Sequence, residues 1–313
     1  MTELSPSTRP ARPLRIAAIV PAGDDPPSLD RCLAALRAGR RQPDELVAER
    51  RPAGPAALRN AGAAASEAEL LVFVDSDVEV DPDALARIEA RFAADPGLAA
   101  VFGAYDDDPE APQLTSRFRN LLHHHVHVSS PGEAETFWAG LGAIRRAEFE
   151  AAGGFDAERY PAPSVEDIEL GMRLRERGAR IELDPSILGR HLKAWTPGSM
   201  LRTDFGRRGV PWALLLIERR RAGAALNLGW RHRASAVAAL ALLLAGLARR
   251  PRAALAALLA LLAMNRDLYL LLARRGGPRL LLAGVGLHVA HLLAAAASVP
   301  AAALLAASGR ERR

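Results

Sequence analysis

The fold is decided by residues 70–78, which read LLVFVDSDV. Five apolar residues in succession predict a buried β-strand, and the strand runs directly into Asp75 and Asp77. Residues two apart in a strand point to the same side, so both carboxylates can face the crevice beside the carboxyl end of a sheet. Hard oxygen ligands in this arrangement suit Mg²⁺ or Mn²⁺. A polar turn that merely ends the strand is the alternative.

Segments before and after this strand alternate between strand and helix patterns. Residues 15–20 (RIAAIV), 45–49 (ELVAE) and 98–105 (LAAVFGAY) predict further strands, and residues 81–96 predict a helix. Strands that alternate with helices predict a mostly parallel sheet covered by helices, which is an α/β fold. Residues 1–13, rich in Pro, Ser and Thr, are expected to be disordered.

The charge and cysteine content narrow the classes of function. The formal net charge is +5 at pH 7, and Lys193 is the only lysine among the basic residues. A nucleic-acid surface would show a stripe of basic residues interleaved with aromatic residues, and the sequence has no such stripe. We therefore expect no nucleic-acid partner. We expect the arginines to lie beside a membrane or to bind a phosphate group. The single cysteine, Cys32, excludes an intramolecular disulfide and is expected in the core.

After about residue 230 the composition changes to small and apolar residues. The runs 234–248 and 253–264 are shorter than a membrane span, whereas 280–308 is long enough. The first two could be tilted spans, a re-entrant hairpin or interfacial helices, and an Ala/Leu bundle in solution is the alternative for the whole region. Residues 1–13 lack the apolar run of a cleavable signal peptide, so we expect most of the chain to lie in the cytoplasm.

Histidines cluster in residues 123–127, which read HHHVH and follow a helical pattern. His123 and His127 are four residues apart and could bind one ion, whereas consecutive histidines on a helix cannot. We favour a polar wall or a partner surface over a metal site here.

Two further segments carry candidate site residues. Residues 136–144 (TFWAGLGAI) predict a strand in which glycine allows a ligand or another backbone to approach closely. In residues 164–167 (SVED), Ser164 and Asp167 resemble a capping box. Helix capping is therefore the structural alternative to a chemical role for Glu166 and Asp167.

Taken together, these stretches resemble a family 2 inverting glycosyltransferase on the GT-A fold, from a bacterial subgroup with a C-terminal membrane region. The resemblance covers roughly residues 14–215 and rests on motifs in the expected order. After a first strand that ends at Pro21, they are LRNAG at 58–62, FVDSD at 73–77, FWAGLGAIRR at 137–146, GGFD at 153–156, EDIELGMRL at 166–174 and HLKAWT at 191–196. The resemblance implies a GT-A domain over residues 14–230 and a helical membrane region over residues 231–313.

The resemblance also implies roles for individual residues. Asp75 and Asp77, with Ser76 between them, resemble the D-x-D pair that binds a divalent cation bridging the donor diphosphate. His191 falls where related enzymes complete the metal or diphosphate site, and Asp167 resembles the general base that deprotonates the acceptor hydroxyl. The remaining implied residues are Pro21, Glu49 and Arg59 at the nucleotide sugar, and Trp138, Gly140, Glu166 and Trp195 in the pocket for the donor and acceptor sugars.

The implied activity is transfer of a sugar from a nucleotide-diphosphate donor to a hydroxyl acceptor at the inner membrane, with Mg²⁺ or Mn²⁺ as cofactor. The apolar tail favours an acceptor that is lipid-linked or a cell-envelope glycan. The acidic stretch expected after the second strand is replaced by VAERRPAGPA, in which Glu49 is the nearest acid. The Q-x-x-R-W signature of processive synthases is missing, so a single addition is expected.

Two other classes of protein remain open at this point. A strand followed by D-x-D-x-V also fits a haloacid dehalogenase-like phosphatase, although that fold carries the motif on its first strand and two strands precede it here. The altered base-binding loop would also suit a non-catalytic membrane protein that binds nucleotide sugars.

Overall fold

The fold is that of a computed structural model, which describes residues 13–23, 25–219 and 229–309. Residues 1–12, nearly all of the segment expected to be disordered, lie outside the described residues. The strands are β1 (Ile16–Pro21), β2 (Glu45–Glu49), β3 (Leu70–Val74), β4 (Val78–Val80), β5 (Leu98–Tyr105), β6 (Gly132–Glu133), β7 (Leu141–Arg145) and β8 (Arg180–His191). The helices are α1 (Leu29–Ala38), α2 (Pro55–Ala64), α3 (Ala84–Ala94), α4 (Leu114–Val128), α5 (Arg146–Ala151), α6 (Glu166–Glu176), α7 (Pro197–Arg202), the π-helix π1 (Thr203–Gly209), α8 (Val210–Glu218), α9 (Trp230–Leu247), α10 (Pro251–Met264) and α11 (Arg266–Ser308).

The strands among the described residues form one sheet with helices packed around it. Its order is β2-β1-β3-β7-β5-β8-β4, and β6 pairs with β8. Every residue of β1, β3 and β5 is buried, as expected for strands covered on both faces. Cys32 is also buried, on the inner face of α1. The expected α/β fold and the core position of this cysteine are confirmed.

The directions of the strands correct one detail of the sequence-based expectation, because the sheet is mixed and not mostly parallel. β1 runs parallel to β2 and β3, and β5 runs parallel to β8. β7 runs antiparallel to both of its neighbours, β3 and β5. After β5 the chain passes through α4 and β6 and reaches the carboxyl end of β5 again before β7 begins. A pattern of alternating strands and helices does not reveal this return.

This topology brings distant segments to the carboxyl end of β3. His191, the last residue of β8, pairs with Val78 at the start of β4. The backbone N–H of Leu192 donates to the carbonyl of Asp77 at 2.8 Å. The backbone N–H of Asp75 donates to the carbonyl of Gly140 at 3.0 Å, just before β7 begins. The sheet therefore fixes the acidic pair against two other chain segments.

The strand predicted over residues 136–144 is shorter in the structure, since β7 begins only at Leu141. Residues 137–140 instead form a loop that folds back on itself. A Cβ at Gly140 would lie 2.4 Å from the Trp138 ring, and one at Gly142 would lie 2.4 Å from the Trp138 carbonyl. The glycines do mark a close approach, but the approaching group is the chain itself.

The C-terminal helices pack against the rest of the protein along one stripe. α11 is bent at Gly277, whose φ of 64° and ψ of −165° are not helical, and Pro278 follows this residue. Residues that recur about every four positions in α11, such as Leu280, Gly284 and His288, are buried. Among the described residues, α11 is the one helix long and apolar enough to cross a membrane, and 28% of its most apolar window is buried.

Helix α6 approaches the loop before β7 closely through a glycine. A Cβ at Gly171 would lie 2.2 Å from the backbone nitrogen of Phe137 and 2.6 Å from the carbonyl carbon of Thr136. These are backbone atoms, so the helix would have to move away from the loop to relieve the clash.

We expect the substitution Gly171→Ala to lower the free energy of unfolding by roughly 1–3 kcal/mol, because it overpacks a rigid contact. Thermal and urea unfolding of the full chain measure this effect. Gly198→Ala in α7 is the matched control, since nothing lies within 4 Å of its added Cβ, and it should leave stability unchanged or slightly raised. Equal stability of the two variants would contradict the described contact.

Candidate active site

One cavity of about 860 Å³ lies at the carboxyl edge of the sheet. Most of the site residues implied by the sequence resemblance line it together. These are Pro21, Arg59, Asp75, Ser76, Asp77, Trp138, Glu166, Asp167, His191 and Trp195. Gly140 and Glu49 are not part of the lining, although Gly140 lies behind Asp75, and the Glu49 side chain pairs with Arg51 at 3.1 Å.

A buried arginine joins two of the acidic segments. Arg59, on α2, is 4% exposed, and its guanidinium lies 2.6 Å from Asp75 Oδ1 and 2.9 Å from Glu166 Oε1. Burial raises the pKa of Asp75 above its ordinary value, and the positive charge of Arg59 offsets only part of this rise. Arg59 uses one carboxylate oxygen of Asp75 and leaves Oδ2 available for another cation.

The second carboxylate of the acidic pair faces a histidine. Asp77 Oδ2 lies 3.5 Å from His191 Nε2. Burial raises the pKa of Asp77, but the hydrogen bond and charge of His191 and the charge of Lys193 outweigh it, so the pKa lies below its ordinary value. Asp77 is therefore ionised at neutral pH.

No group of three or more His, Cys, Asp or Glu side chains in the described part of the chain is arranged to hold a metal ion unaided. This arrangement still fits Mg²⁺ or Mn²⁺, which commonly use one or two carboxylates and take further oxygens from a substrate diphosphate and water. Asp75 Oδ2 and the ionised Asp77 are the two carboxylates available for this, and His191 lies beside Asp77.

Asp167 lies at the start of α6, on the same cavity. Its Oδ2 accepts a hydrogen bond from the backbone N–H of Ala139 at 3.2 Å, and Oδ1 accepts one from Ile168 at 2.8 Å. Burial and the neighbouring charge of Glu166 raise the pKa of Asp167 to about 6. The capping-box alternative is not what the structure shows, because the Ser164 hydroxyl donates to the carbonyl of Arg207.

An aromatic wall completes the cavity beside these carboxylates. The ring of Tyr105 stacks on His191, with centroids 4.4 Å apart, and meets Trp138 edge to face at 4.9 Å. Lys193 Nζ lies 4.9 Å from the centroid of Trp195. The indole nitrogen of Trp195 is buried and has no hydrogen-bond partner within the described residues. These flat faces and free donors suit a polar, hydroxylated ligand.

The histidine cluster lies in this wall, which agrees with the polar wall favoured above. His123 and His127 line the cavity, and their rings lie 4.0 Å apart. His127 Nδ1 donates to the carbonyl of Gly103 at 2.8 Å. Burial lowers the pKa of His123 well below its ordinary value and that of His127 to about 4. Both rings are therefore neutral at pH 7.

Several cavity residues were not found by sequence reasoning, among them Tyr105, Arg119, Asn120 and Asp204. Arg119 precedes the histidine cluster on α4, and the four-residue spacing of Arg119, His123 and His127 is the signal that could have placed Arg119 on the same face. Nothing in the local sequence marks Tyr105, at the end of an apolar strand, as a site residue.

The cavity continues from the carboxylates to the C-terminal helices. Arg119 of α4 lies 2.8 Å from Asp204 of π1, and His291 of α11 donates to the same carboxylate at 2.8 Å. Farther along, side chains of α9 and α11, including Ala236 and Val299, form the wall. The polar and apolar parts of the protein thus share one cavity.

Part of the sequence is similar to two curated glycosyltransferases. Two curated relatives, the pre-mycofactocin glycosyltransferases of Mycobacterium tuberculosis strains CDC 1551 / Oshkosh and ATCC 25618 / H37Rv, are 30% identical over 145 residues. This alignment covers 44% of the present chain and 30% of each relative. The chain therefore matches less than a third of the length of these proteins.

A solved structure shares the fold across nearly the whole chain. The mannosyltransferase PcManGT from Pyrobaculum calidifontis, determined in complex with GDP-Man and Mn²⁺, superposes with a TM-score of 0.52 and 18% identity. The superposition covers 93% of the present chain and 88% of PcManGT.

The match to a family model decides the class of the protein. The model of glycosyl transferase family 21 matches residues 56–297, most of the chain, including nearly all of α2, the acidic pair, α6 and most of α11. Pro21 and Glu49 lie before the matched region. The expected class, a glycosyltransferase, is confirmed, whereas the family 2 and GT-A assignments stay predictions. The chain belongs to glycosyl transferase family 21.

Proposed function

We propose that this protein is a metal-dependent, inverting glycosyltransferase of the GT-A type, with a site like that of family 2 enzymes. It would transfer one sugar from a nucleotide-diphosphate donor to a hydroxyl group of a lipid-linked or cell-envelope acceptor. The observation that carries this proposal is that Asp167, in the first turn of α6, lines the same cavity as Asp75 and Asp77, which lie between β3 and β4. An acidic pair for the leaving group and a third carboxylate for the acceptor are the two groups that a direct displacement needs.

The acidic pair would act on the leaving group. Asp75, Asp77 and His191 would hold Mg²⁺ or Mn²⁺, which supplies positive charge to the diphosphate as the bond to the sugar breaks. The positive charge of Arg59 opposes protonation of Asp75, and the 2.6 Å contact fixes the direction of its carboxylate. Lys193, which also lines the cavity, adds a further positive charge beside the diphosphate.

Asp167 would act on the incoming hydroxyl. An alcohol is a weak nucleophile, so a carboxylate within hydrogen-bond reach accelerates attack by accepting its proton. A pKa of about 6 leaves Asp167 ionised at pH 7 and more basic than an ordinary aspartate. The N–H groups of Ala139 and Ile168 hold its two oxygens in place. One displacement without a covalent intermediate inverts the anomeric carbon.

The relatives support a nucleotide-sugar donor and a divalent cation. PcManGT, which shares the fold, was solved with GDP-Man and Mn²⁺, and the two mycobacterial relatives are glycosyltransferases. Glu49, the nearest acid for recognition of the base, lies outside the cavity lining and is paired with Arg51. The base of the donor is therefore not assigned.

The apolar helices support an acceptor at the membrane. Most of the large apolar side chains that are exposed in the described residues lie on α9, α10 and α11. They include Leu247, Leu282 and Leu304, each more than 70% exposed. An apolar surface of this kind marks contact with another protein or with a membrane, and we assign it to the membrane. Because α9 and α11 also line the cavity, an acceptor held in the membrane could reach the carboxylates without leaving it.

This arrangement also suggests how the protein is placed in the cell. Residues 231–313 would lie in or on the inner membrane, and the catalytic domain, residues 14–230, would face the cytoplasm. The sequence lacks the Q-x-x-R-W signature of processive synthases, which add sugars repeatedly. One sugar would therefore be transferred in each encounter.

Asp167→Asn should abolish sugar transfer and leave Mn²⁺-dependent binding of a nucleoside diphosphate largely unchanged. The amide keeps the shape of the side chain but cannot accept the proton of the acceptor, a loss of at least about 10²-fold in kcat. Transfer is measured with nucleotide sugars and membrane extracts as acceptors, and binding by thermal shift with each nucleoside diphosphate. Asp108→Asn is the control, because Asp108 is a surface carboxylate that pairs with Arg190. Transfer that persists in Asp167→Asn would show that another group is the base.

The pH dependence of transfer should show the ionisation of Asp167. Its pKa is raised to about 6, so the protonated, inactive form predominates below that pH. We expect kcat/KM to be level above about pH 7 and to fall by about tenfold per pH unit below pH 6. Mn²⁺ affinity measured over the same range separates this effect from loss of the metal. A level kcat/KM down to pH 5 would contradict the assignment.

Replacing exposed leucines of α9 should weaken membrane binding. Leu244 and Leu247 are 55% and 73% exposed, and glutamate at both positions removes apolar contact worth about 1.5–3 kcal/mol per side chain. We expect flotation with phosphatidylcholine–phosphatidylglycerol vesicles to fall by about tenfold or more. Leu114→Glu, at an exposed leucine outside the apolar helices, is the control. Equal flotation of the double variant and the unchanged protein would argue against this membrane surface.

A further inference from the structure

The bend at Gly277 separates a short first part of α11 from a longer part, residues 278–308, which we call the distal helix. The turn before the bend is tied to the polar surface of the protein. The side chain of Arg275 pairs with Asp107, and Arg117 of α4 donates to the carbonyl of Arg275. Both side chains of the Arg275–Asp107 pair are partly exposed, so the distal helix begins beside a surface that faces water.

Two contacts farther along hold the distal helix against π1. His291 donates to the buried carboxylate of Asp204 at 2.8 Å, and a Cβ at Gly209 would lie 2.8 Å from Ser298. At a rise of 1.5 Å per residue, Pro278 and Ser298 lie about 30 Å apart along the helix. The hydrocarbon core of a bilayer is also about 30 Å thick. The distal helix therefore contacts the rest of the protein over a length close to one membrane thickness.

An upright crossing of the membrane conflicts with these contacts. It would place π1 and the surface around Asp107 at opposite faces of the bilayer, and α4, which lies between them, in the hydrocarbon. Arg207 and Arg208 of π1 are exposed, and charged side chains are costly at membrane depth. The contacts are compatible with a membrane only if the distal helix lies along its surface.

The side of the distal helix that faces away from the protein is apolar. Leu282 and Leu304 are 74% and 73% exposed, and Val299 is 58% exposed. The sequence contains no Asp, Glu, Lys or Arg from residue 280 to residue 308. A helix that is apolar all round needs apolar surroundings on every side. The protein covers one side of this helix, and acyl chains of a lipid leaflet suit the other.

Arginines flank the distal helix in the sequence on both sides. Arg274 and Arg279 precede its apolar part and are exposed, and residues 310–313 read RERR. Arginine-rich segments next to an apolar helix are favoured on the cytoplasmic side of a membrane, where anionic headgroups attract them. A crossing helix would put one of these two groups on the outer side. A helix in the membrane plane leaves both groups in the same layer of headgroups.

We propose that the distal helix lies in the plane of the membrane, in one leaflet with anionic headgroups, and does not cross the bilayer. Its exposed leucines enter the boundary between headgroups and acyl chains to a depth of about 5–10 Å. This inference rests on the membrane contact in the proposed function. Length and composition alone would allow this helix to span a membrane, whereas its contacts with π1 and with the Asp107 surface hold it along one face.

The test is the side of the membrane that each end of the distal helix faces. Arg279→Cys and Ser308→Cys are made separately in the full chain, with Cys32, the single native cysteine, replaced by alanine. Each is treated with a membrane-impermeant maleimide in sealed inner-membrane vesicles of both orientations. Asp108→Cys is the reference, because the Asp108 side chain is 72% exposed and pairs with Arg190, away from the apolar helices. Both ends should react only in the orientation in which Asp108→Cys reacts.

Other outcomes overturn different parts of the interpretation. Reaction of Ser308→Cys only in the orientation opposite to that of Asp108→Cys would show that the helix crosses the bilayer, and would overturn this proposal while keeping the membrane contact. Recovery of the protein in the soluble fraction would overturn the membrane contact of the proposed function and this proposal with it. If Arg279→Cys does not fold, as judged by thermal unfolding, Arg274→Cys replaces it.

A second measurement separates insertion into the leaflet from attachment by charge alone. Spin labels on Leu282→Cys and Leu304→Cys should be shielded from a water-soluble nickel chelate and open to oxygen. Leu114→Cys is the matched control, since Leu114 is an exposed leucine outside the apolar helices, and its label should be open to the chelate. Labels at positions 282 and 304 that are as open to the chelate as the control would place the helix outside the acyl layer and overturn the proposal.

Discussion

The site depends on the buried guanidinium of Arg59, which lies between Asp75 and Glu166. Four carboxylates, those of Asp75, Asp77, Glu166 and Asp167, line one cavity and would repel one another without a cation among them. Arg59 also connects three elements, because it projects from α2 to the end of β3 and the start of α6. Breaking a buried pair of this kind typically costs about 3–5 kcal/mol, so the contact sets both the geometry and the charge of the site.

The mixed sheet delivers the other groups to this arginine. If β7 ran parallel to β3, the loop before it would lie at the opposite edge of the sheet. Its antiparallel direction instead places the carbonyl of Gly140 against Asp75 and the N–H of Ala139 against Asp167. The close approach of Gly171 to the same loop lets α6 enter beside it. Strand direction and one glycine thus determine how far Asp167 lies from the acidic pair.

The parts of the fold and site that could be predicted from sequence are those encoded locally. The apolar run before Asp75 and the acidic start of α6 at Asp167 are short patterns whose elements the structure contains, and the ordered motifs joined them to one class of enzyme. Tyr105 and Asn120 could not be predicted, because their position depends on how α4 and β5 pack in three dimensions. The direction of β7 was missed for the same reason, since it follows from the path of a connection and not from residues in the strand.

The predicted division into a catalytic domain and a membrane region follows the change in composition, but in the folded protein the two parts pack closely together. Asp204 is 4% exposed and bonds to Arg119 of α4 and to His291 of α11, so the polar interior of one region reaches into the apolar helix of the other. A Cβ at Gly209 would lie 2.8 Å from Ser298, which shows how tightly π1 packs on that helix. Separating α11 would leave the buried carboxylate and guanidinium open on one side and remove a wall of the cavity. The apolar helices α9 and α11 therefore form part of the same cavity as the carboxylates.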